Sequence, residues 1–182
     1  MTIKNKIPNI LSLARIFSVP ILVLSAFNNR EYIFIAIFIF ALITDVLDGY
    51  LARKLNVSSE FGAKLDSWGD MAIYLSLPLC TYWLYPELVS GVYSYFLIVI
   101  FAYLLPILAG IIKFGKIPSY HTWSAKFTGV FMSISVLLIF TLKIVWLFKI
   151  AAVLQTFEAA ESILITLKLN EPKSNVKSLL LL

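Results

Sequence analysis

Long apolar runs separated by short polar connections organise the whole chain. Six runs in this 182-residue sequence approach the roughly 20 residues that an α-helix needs to cross a bilayer. We expect them at Ile7–Phe27, Tyr32–Arg53, Ser59–Trp83, Val92–Ile112, Ser124–Leu142 and Ile150–Lys168. A spanning segment must satisfy its backbone hydrogen bonds internally, and no alternating barrel pattern is present. The pattern therefore predicts an all-α integral membrane protein, a bundle of six transmembrane helices.

The composition indicates the same class. Hydrophobic residues make up 60% of the chain and charged residues 14%, whereas soluble domains have about 45–50% and 25%. No repeat or linker is visible, so we expect a single membrane domain over residues 1–182, with a polar tail from about residue 170. The first run is long for a signal peptide and lacks a small-x-small cleavage site, which favours a retained span.

The basic residues predict an orientation. Arg30, Lys143 and Lys149 fall on one side of the six-span arrangement, and most other lysines and arginines fall on the side of the termini. By the positive-inside rule, both termini face the cytoplasm, in the plasma or inner membrane. The net charge of +5 is explained by this bias, and no aromatic and basic surface suggests nucleic acid as a partner.

The informative stretch is DVLDGYLARKLNVSSEFGAKLDSWGD, which begins at Asp45 and ends at Asp70. Asp45 and Asp48 are one helical turn apart, and Asp66 and Asp70 share a face of the next helix. A tight turn between these helices would make them antiparallel neighbours, so the carboxylates would converge. Without a partner such a cluster repels itself, but with divalent cations it forms an oxygen site suited to Mg²⁺ or Mn²⁺.

Small residues accompany the aspartates on the same two faces. Gly49, Ala52 and Gly62 leave space beside the backbone for a bulky group. Arg53 offers a planar fork of donors that suits phosphate. Carboxylates, a divalent metal, space and an arginine together indicate phosphoryl-group chemistry in a polar cavity on the cytoplasmic side of the membrane.

The stretch resembles the signature of the CDP-alcohol phosphatidyltransferases, with every defining position filled. The matching residues are Asp45, Asp48, Gly49, Ala52, Arg53, Gly62, Asp66 and Asp70. The opening IPNILSLARIFSVP is also similar to the start of many members, with Asn9 and Arg15 near the mouth of the active site. Eight fixed positions in one continuous stretch make a chance match a poor explanation.

The resemblance implies transfer of a phosphatidyl group from CDP-diacylglycerol to a small alcohol, with release of CMP and two divalent metal ions at the site. It implies that Asp45, Asp48 and Asp66 bind metal, and that Asp70 both binds metal and acts as the base. The nucleotide would contact Gly49, Ala52, Arg53 and Gly62. Members of the family often form homodimers, and the sequence leaves that point open.

The acceptor alcohol is less well marked. Lys126 resembles a lysine that phosphatidylglycerophosphate synthases place near the start of the fifth span, and it favours glycerol 3-phosphate as the acceptor. Arg15 and His121 are further candidates, and Lys113 and Lys116 are equally explained by orientation. The stretch around Lys126, SYHTWSAKFTG, lacks the second lysine that is usual in those synthases. Serine, inositol, inositol phosphate and phosphatidylglycerol therefore stay open as acceptors.

Other readings of the same residues remain. An intramembrane prenyltransferase also uses aspartates and Mg²⁺, but it needs a second aspartate-rich motif, and no aspartate follows Asp70. A small ion transporter would not require the glycines and the arginine at these offsets. Glu158 and Glu161 in the last span have either a structural lysine partner or a place in the acceptor cavity.

Overall fold

The chain is helical along almost its entire length. The computed structural model describes residues 7–55, 57, 59–118, 120, 122–173 and 176–182, apart from the side chains of Arg53, Glu60 and Ala63. These ranges form α1 (Ile7–Phe27), α2 (Glu31–Lys54), α3 (Glu60–Leu84), α4 (Pro86–Phe114), α5 (Trp123–Leu142), α6 (Trp146–Lys168) and a final 3₁₀ turn, Leu179–Leu181. The described residues contain no β-strand, which confirms the all-α class.

Five of the helices are long and apolar enough to cross a membrane, which makes the chain a multi-pass membrane protein. Helix α3 is not among them, although its 25 residues are sufficient in length. Its first half carries Lys64, Asp66 and Asp70, and these residues lower its hydropathy. The third expected span, Ser59–Trp83, is therefore a helix at the expected position that is less apolar than the other five.

Local signals fix several of the helix ends. The Ser59 side chain caps α3 by accepting a hydrogen bond from the Gly62 N–H at 3.0 Å. Gly115 has φ +66°, a left-handed conformation that suits glycine, and it follows the last residue of α4. Thr122 caps α5 through the Ala125 N–H. Helices α4 and α6 begin earlier than expected, at Pro86 and Trp146.

The chain divides into two compact units, one up to Gly91 and the other from Val92. In the first unit, α1 packs against both α2 and α3. The buried face of α1 is unusually polar for a membrane helix, because it includes Ser12, Arg15 and Ser18. The polar side chains of this face are what α1 contributes to its packing against α2 and α3, the two helices that carry the aspartates. The expectation of a single membrane domain stays a prediction.

In the second unit, Glu161 fixes the end of the chain. Its carboxylate accepts hydrogen bonds from the Ser124 hydroxyl on α5, from the Ser178 hydroxyl at 3.1 Å and from the Leu179 N–H at 3.0 Å. Val176 is buried nearby, in a cluster with Tyr120 and Ile165. The segment from Val176 to the end of the described chain is therefore an integral part of this unit.

Glu158 has partners of the same uncharged kind. It accepts hydrogen bonds from the Ser162 hydroxyl and from the Gln155 amide, both at 2.8 Å. Within the described part of the chain, the hydrogen-bond partners of Glu158 and Glu161 are hydroxyl, amide and backbone groups. These contacts give both carboxylates a structural role within the second unit.

We expect Glu161→Ala to release the terminal segment while the helices stay folded, because the substitution removes the acceptor for three donors at once. Hydrogen exchange at the Leu179 amide should accelerate by about tenfold or more, since its N–H bonds directly to Glu161. Mass spectrometry of exchange in detergent micelles measures the change. Glu171→Ala, at an exposed carboxylate of the same tail, is the matched control. Unchanged exchange in Glu161→Ala would contradict this role.

Candidate active site

A single arginine from α1 lies among all four aspartates of the chain. Arg15 Nη1 lies 2.8 Å from Asp45 Oδ1, 3.0 Å from Asp66 Oδ1 and 2.7 Å from Asp70 Oδ1. Arg15 Nη2 donates to Asp48 Oδ2. The spacing of the aspartates along α2 and α3 predicts that their carboxylates converge, and this prediction is confirmed. The guanidinium at their centre joins the three helices of the first unit.

The four carboxylates differ in their access to the outside. The side chain of Asp48 is 6% exposed, whereas those of Asp45, Asp66 and Asp70 are 43%, 42% and 34% exposed. The cluster therefore has one inner carboxylate and three that a ligand can reach. This open side is where a charged substrate could approach without crossing the protein interior.

Ser12 secures the inner carboxylate. Its hydroxyl donates to Asp48 Oδ2 at 2.7 Å, and the same hydroxyl lies 3.2 Å from the Pro8 carbonyl oxygen one turn earlier. A buried carboxylate is costly unless it is paired and hydrogen-bonded. Asp48 meets both conditions through Arg15 and Ser12, so it is the fixed point of the cluster.

Ser12 is a site residue that the sequence interpretation missed, and Arg15 has contacts with the aspartates that the sequence did not predict. Sequence reasoning considered Arg15 for the acceptor, whereas the structure places it inside the aspartate cluster with 0% side-chain exposure. A signal was present in α1. Ser12, Arg15 and Ser18 recur at a three-residue spacing in an otherwise apolar helix, which marks a polar face that must meet polar partners.

The donor set fits divalent metal ions. One carboxylate oxygen from each of Asp45, Asp48 and Asp66 lies within 4.8 Å of the others. Carboxylate oxygens are hard ligands of the kind that Mg²⁺ and Mn²⁺ prefer. The guanidinium of Arg15 shows that these groups already surround a positive charge. Asp70 is not one of this group of three, although it shares Arg15 Nη1 with Asp45 and Asp66.

The small residues of the signature lie on the same two helices. A Cβ atom at Gly62 would stand 2.8 Å from the Asn9 side-chain oxygen and 3.2 Å from the Ser59 hydroxyl, so a larger residue here would require the Asn9 side chain to shift. Gly49 and Ala52 lie in the last turns of α2, half-buried. The Arg53 side chain is outside the described part of the structure. Nucleotide binding by these four residues stays a prediction.

The candidates for the acceptor site other than Arg15 fall in the second unit. Lys126 is exposed in the first turns of α5, with its Nζ 5.2 Å from the centre of the Trp123 ring. Lys113 Nζ donates to the Leu167 carbonyl at 2.7 Å, which satisfies a group at the end of α6. His121 lies outside the described residues. The acceptor roles of Lys126 and His121 stay predictions.

Fold and site together define a class: a multi-pass, all-α membrane protein whose aspartates, carried by two helices, form one acidic cluster around a buried arginine. Within that class, the chain belongs to the CDP-alcohol phosphatidyltransferase family, whose model matches residues 5–164. The match covers both acidic helices and most of the second unit.

Individual relatives share shorter stretches. A CDP-diacylglycerol–glycerol-3-phosphate 3-phosphatidyltransferase of Rickettsia bellii is 38% identical over 73 residues, which are 38% of this chain and 40% of the relative. A protein of the same name numbered 2, from Arabidopsis thaliana, is 44% identical over 80 residues, 41% of this chain and 34% of the relative. One from Pseudomonas fluorescens is 42% identical over 67 residues, 35% of this chain and 34% of the relative.

The chain thus covers less than half the length of each of these relatives. No solved structure matches the chain.

Proposed function

We propose that this protein transfers the phosphatidyl group of CDP-diacylglycerol to glycerol 3-phosphate, forming phosphatidylglycerophosphate and CMP in phospholipid biosynthesis. The observation that carries the proposal is the convergence of all four aspartates on one accessible cluster in a membrane protein of this family. Support for the acceptor comes from the relatives, whose names specify glycerol 3-phosphate.

Asp70 is the base in this reaction. The hydroxyl oxygen of the acceptor forms a bond to the phosphorus that carries diacylglycerol, and the bond from that phosphorus to CMP breaks. CMP leaves with the electron pair, and the hydroxyl proton passes to the Asp70 carboxylate. Asp70 suits this task because its side chain is 34% exposed, so an acceptor can come within hydrogen-bond distance.

Asp45, Asp48 and Asp66, with Asp70, would hold two divalent ions, either Mg²⁺ or Mn²⁺. When bound, such ions neutralise the negative charge of the pyrophosphate and of the departing CMP. The protein contributes a preset arrangement of carboxylates. Asp48 is fixed by Ser12 and Arg15, and the more exposed Asp45 and Asp66 stand beside it.

The two substrates are assigned to different residues. The cytidine nucleotide would lie along Gly49, Ala52, Arg53 and Gly62, where small side chains leave the backbone accessible. Lys126, Arg15 and His121 are the candidates for the acceptor. Of these, Lys126 is an exposed cation among the described residues, and it suits the phosphate of glycerol 3-phosphate better than a neutral alcohol.

Both termini and the active site would face the cytoplasm, in the plasma or inner membrane. The support for this orientation is the excess of lysine and arginine on the side of the termini. A homodimer is consistent with membership of the family, and cross-linking of the purified protein in detergent would test it.

A parallel assay with several acceptors tests the proposed reaction. Purified protein is incubated with CDP-diacylglycerol and Mn²⁺ in five parallel reactions. Each reaction contains one acceptor: glycerol 3-phosphate, serine, inositol, inositol phosphate or phosphatidylglycerol. We expect CMP release with glycerol 3-phosphate to exceed that with serine or inositol by about 100-fold or more, since a site built for a phosphate discriminates strongly against compounds that lack it. Release with glycerol 3-phosphate should also exceed that with inositol phosphate and with phosphatidylglycerol. Faster release with a different acceptor would retain the chemistry and overturn the proposed acceptor.

A further inference from the structure

Arg15 has no access to the outside, and its partners are the aspartates themselves. Its side chain is 0% exposed, and its two terminal nitrogens contact all four carboxylates. Nη1 donates hydrogen bonds to Asp66 Oδ1 at 3.0 Å and to Asp70 Oδ1 at 2.7 Å, and it forms an ion pair with Asp45 Oδ1 at 2.8 Å. Both terminal nitrogens of Arg15 are therefore engaged by the carboxylates of the cluster.

The charges of the cluster do not balance. One guanidinium faces four carboxylates, so ionised side chains leave an excess of three negative charges. Each carboxylate contacts Arg15 through one oxygen, namely Oδ1 of Asp45, Asp66 and Asp70 and Oδ2 of Asp48. The second oxygen of each carboxylate is not in contact with Arg15, and the ionised carboxylates carry more negative charge than one guanidinium neutralises, so the cluster can still attract further cations.

In the described part of the chain, the polar contacts of the Arg15 side chain are those with the four aspartates. Its Nε is buried and has no hydrogen-bond partner among the described residues. The stem of the side chain passes over Gly69, where a Cβ would stand 3.4 Å from Arg15 Cδ. Within the described ranges, the polar groups in contact with this side chain are therefore the four carboxylates.

We propose that Arg15 is the internal counter-ion of the aspartate cluster: it holds the four carboxylates together while metal is absent, and it competes with divalent ions for them. The inference rests on the proposed function, because the proposed reaction is the one that requires divalent ions at this cluster. In this account Arg15 is a positioning residue that sets the affinity of the cluster for metal. Like charges in one site repel each other, so each cation that enters weakens the hold of the other.

The test is Mn²⁺ binding without any substrate, measured by electron paramagnetic resonance on protein in detergent micelles. We expect Arg15→Met to bind Mn²⁺ tighter than the wild type by about tenfold or more, the usual size of coupling between ligands that oppose each other. Arg30→Met removes an exposed arginine in the connection between α1 and α2 and should leave the affinity unchanged. Equal or weaker binding by Arg15→Met would overturn the proposal.

Arg15→Lys provides a second variant if Arg15→Met does not fold. An ammonium group cannot reach four carboxylates with a planar fork, so we expect Mn²⁺ affinity to rise by about threefold or more. Thermal unfolding gives an independent readout. In EDTA both variants should melt at lower temperature than the wild type, and Mn²⁺ should restore more of the stability in the variants. An Arg15→Lys variant with wild-type affinity and wild-type stability in EDTA would refute the counter-ion role.

CMP release is measured on the same preparations to separate the two ideas. If the wild type binds Mn²⁺ and releases no CMP from CDP-diacylglycerol with any acceptor, the proposed function is wrong, whereas the comparison of Arg15 variants still decides the role of Arg15. If the wild type releases CMP and the Arg15 variants bind Mn²⁺ as it does, the counter-ion role alone is wrong.

Discussion

Asp70→Asn abolishes CMP release in our account while the protein remains folded. An amide of the same size cannot accept the proton of the attacking hydroxyl, and general-base contributions of this kind are about 100-fold to 10,000-fold. We expect kcat with CDP-diacylglycerol and glycerol 3-phosphate to fall by at least about 1,000-fold, because the substitution also weakens the hold on metal. Steady-state CMP release at saturating Mn²⁺ measures the loss.

A matched carboxylate controls for the chemistry of the substitution. Glu87→Gln makes the same change at an exposed residue in the first turn of α4 and should leave kcat unaltered. Binding of CDP-diacylglycerol to Asp70→Asn, followed by calorimetry, shows whether the site survives. Turnover within about tenfold of the wild type would rule out Asp70 as the base.

Asp48→Ala should produce the largest loss of stability among the aspartate variants. Asp48 is 6% exposed and is bonded to both Arg15 and Ser12. Removing one partner of a buried ion pair leaves the other uncompensated and typically costs about 3–5 kcal/mol. Here the remaining three aspartates still pair with Arg15, so we expect the lower end, about 3 kcal/mol. Denaturant unfolding in mixed micelles with EDTA measures the free energy of unfolding.

Asp66→Ala is the matched comparison within the same cluster. Its side chain is 42% exposed, and exposed pairs contribute about 0–1 kcal/mol. Its removal also relieves repulsion among the carboxylates, so the free energy of unfolding in EDTA should change by less than about 1 kcal/mol. Both variants should lose CMP release. Equal destabilisation by the two substitutions would contradict the distinction between an inner carboxylate and three outer ones.

Much of the fold follows from local properties of the chain. Runs of apolar residues fix the helices because backbone groups in a membrane must bond within their own segment. The start of α3 also has a local cause, because the Ser59 side chain satisfies a free N–H there. Helix α3 is long enough to cross a membrane, but it carries the polar residues of the site. It is therefore less apolar than a spanning helix was expected to be.

The aspartate cluster was predictable, and its central arginine was not. The spacing from Asp45 to Asp48 and from Asp66 to Asp70 depends on helical periodicity alone. Arg15 joins them across 30 residues of sequence to Asp45 and 55 to Asp70, through the packing of α1 against both α2 and α3. Periodicity shows which side chains share a face, but not which helix that face will meet. Ser12 was missed for the same reason.

The acceptor is the part of the site that sequence defines least. Lys126 and the signature aspartates belong to different compact units, and no spacing rule relates one to the other. A lysine near the end of a membrane helix is also explained by orientation. The preference for glycerol 3-phosphate therefore depends on chemistry and on the relatives, and only a direct assay can establish it.

The central claim is that a single reaction transfers the phosphatidyl group of CDP-diacylglycerol to glycerol 3-phosphate and releases CMP. Radiolabelled glycerol 3-phosphate is incubated with CDP-diacylglycerol, Mn²⁺ and the purified protein, and labelled lipid and CMP are counted together. The account predicts equal amounts of labelled lipid and CMP, with both lost in EDTA. CMP without labelled lipid, or neither product from a folded protein that binds Mn²⁺, would contradict it.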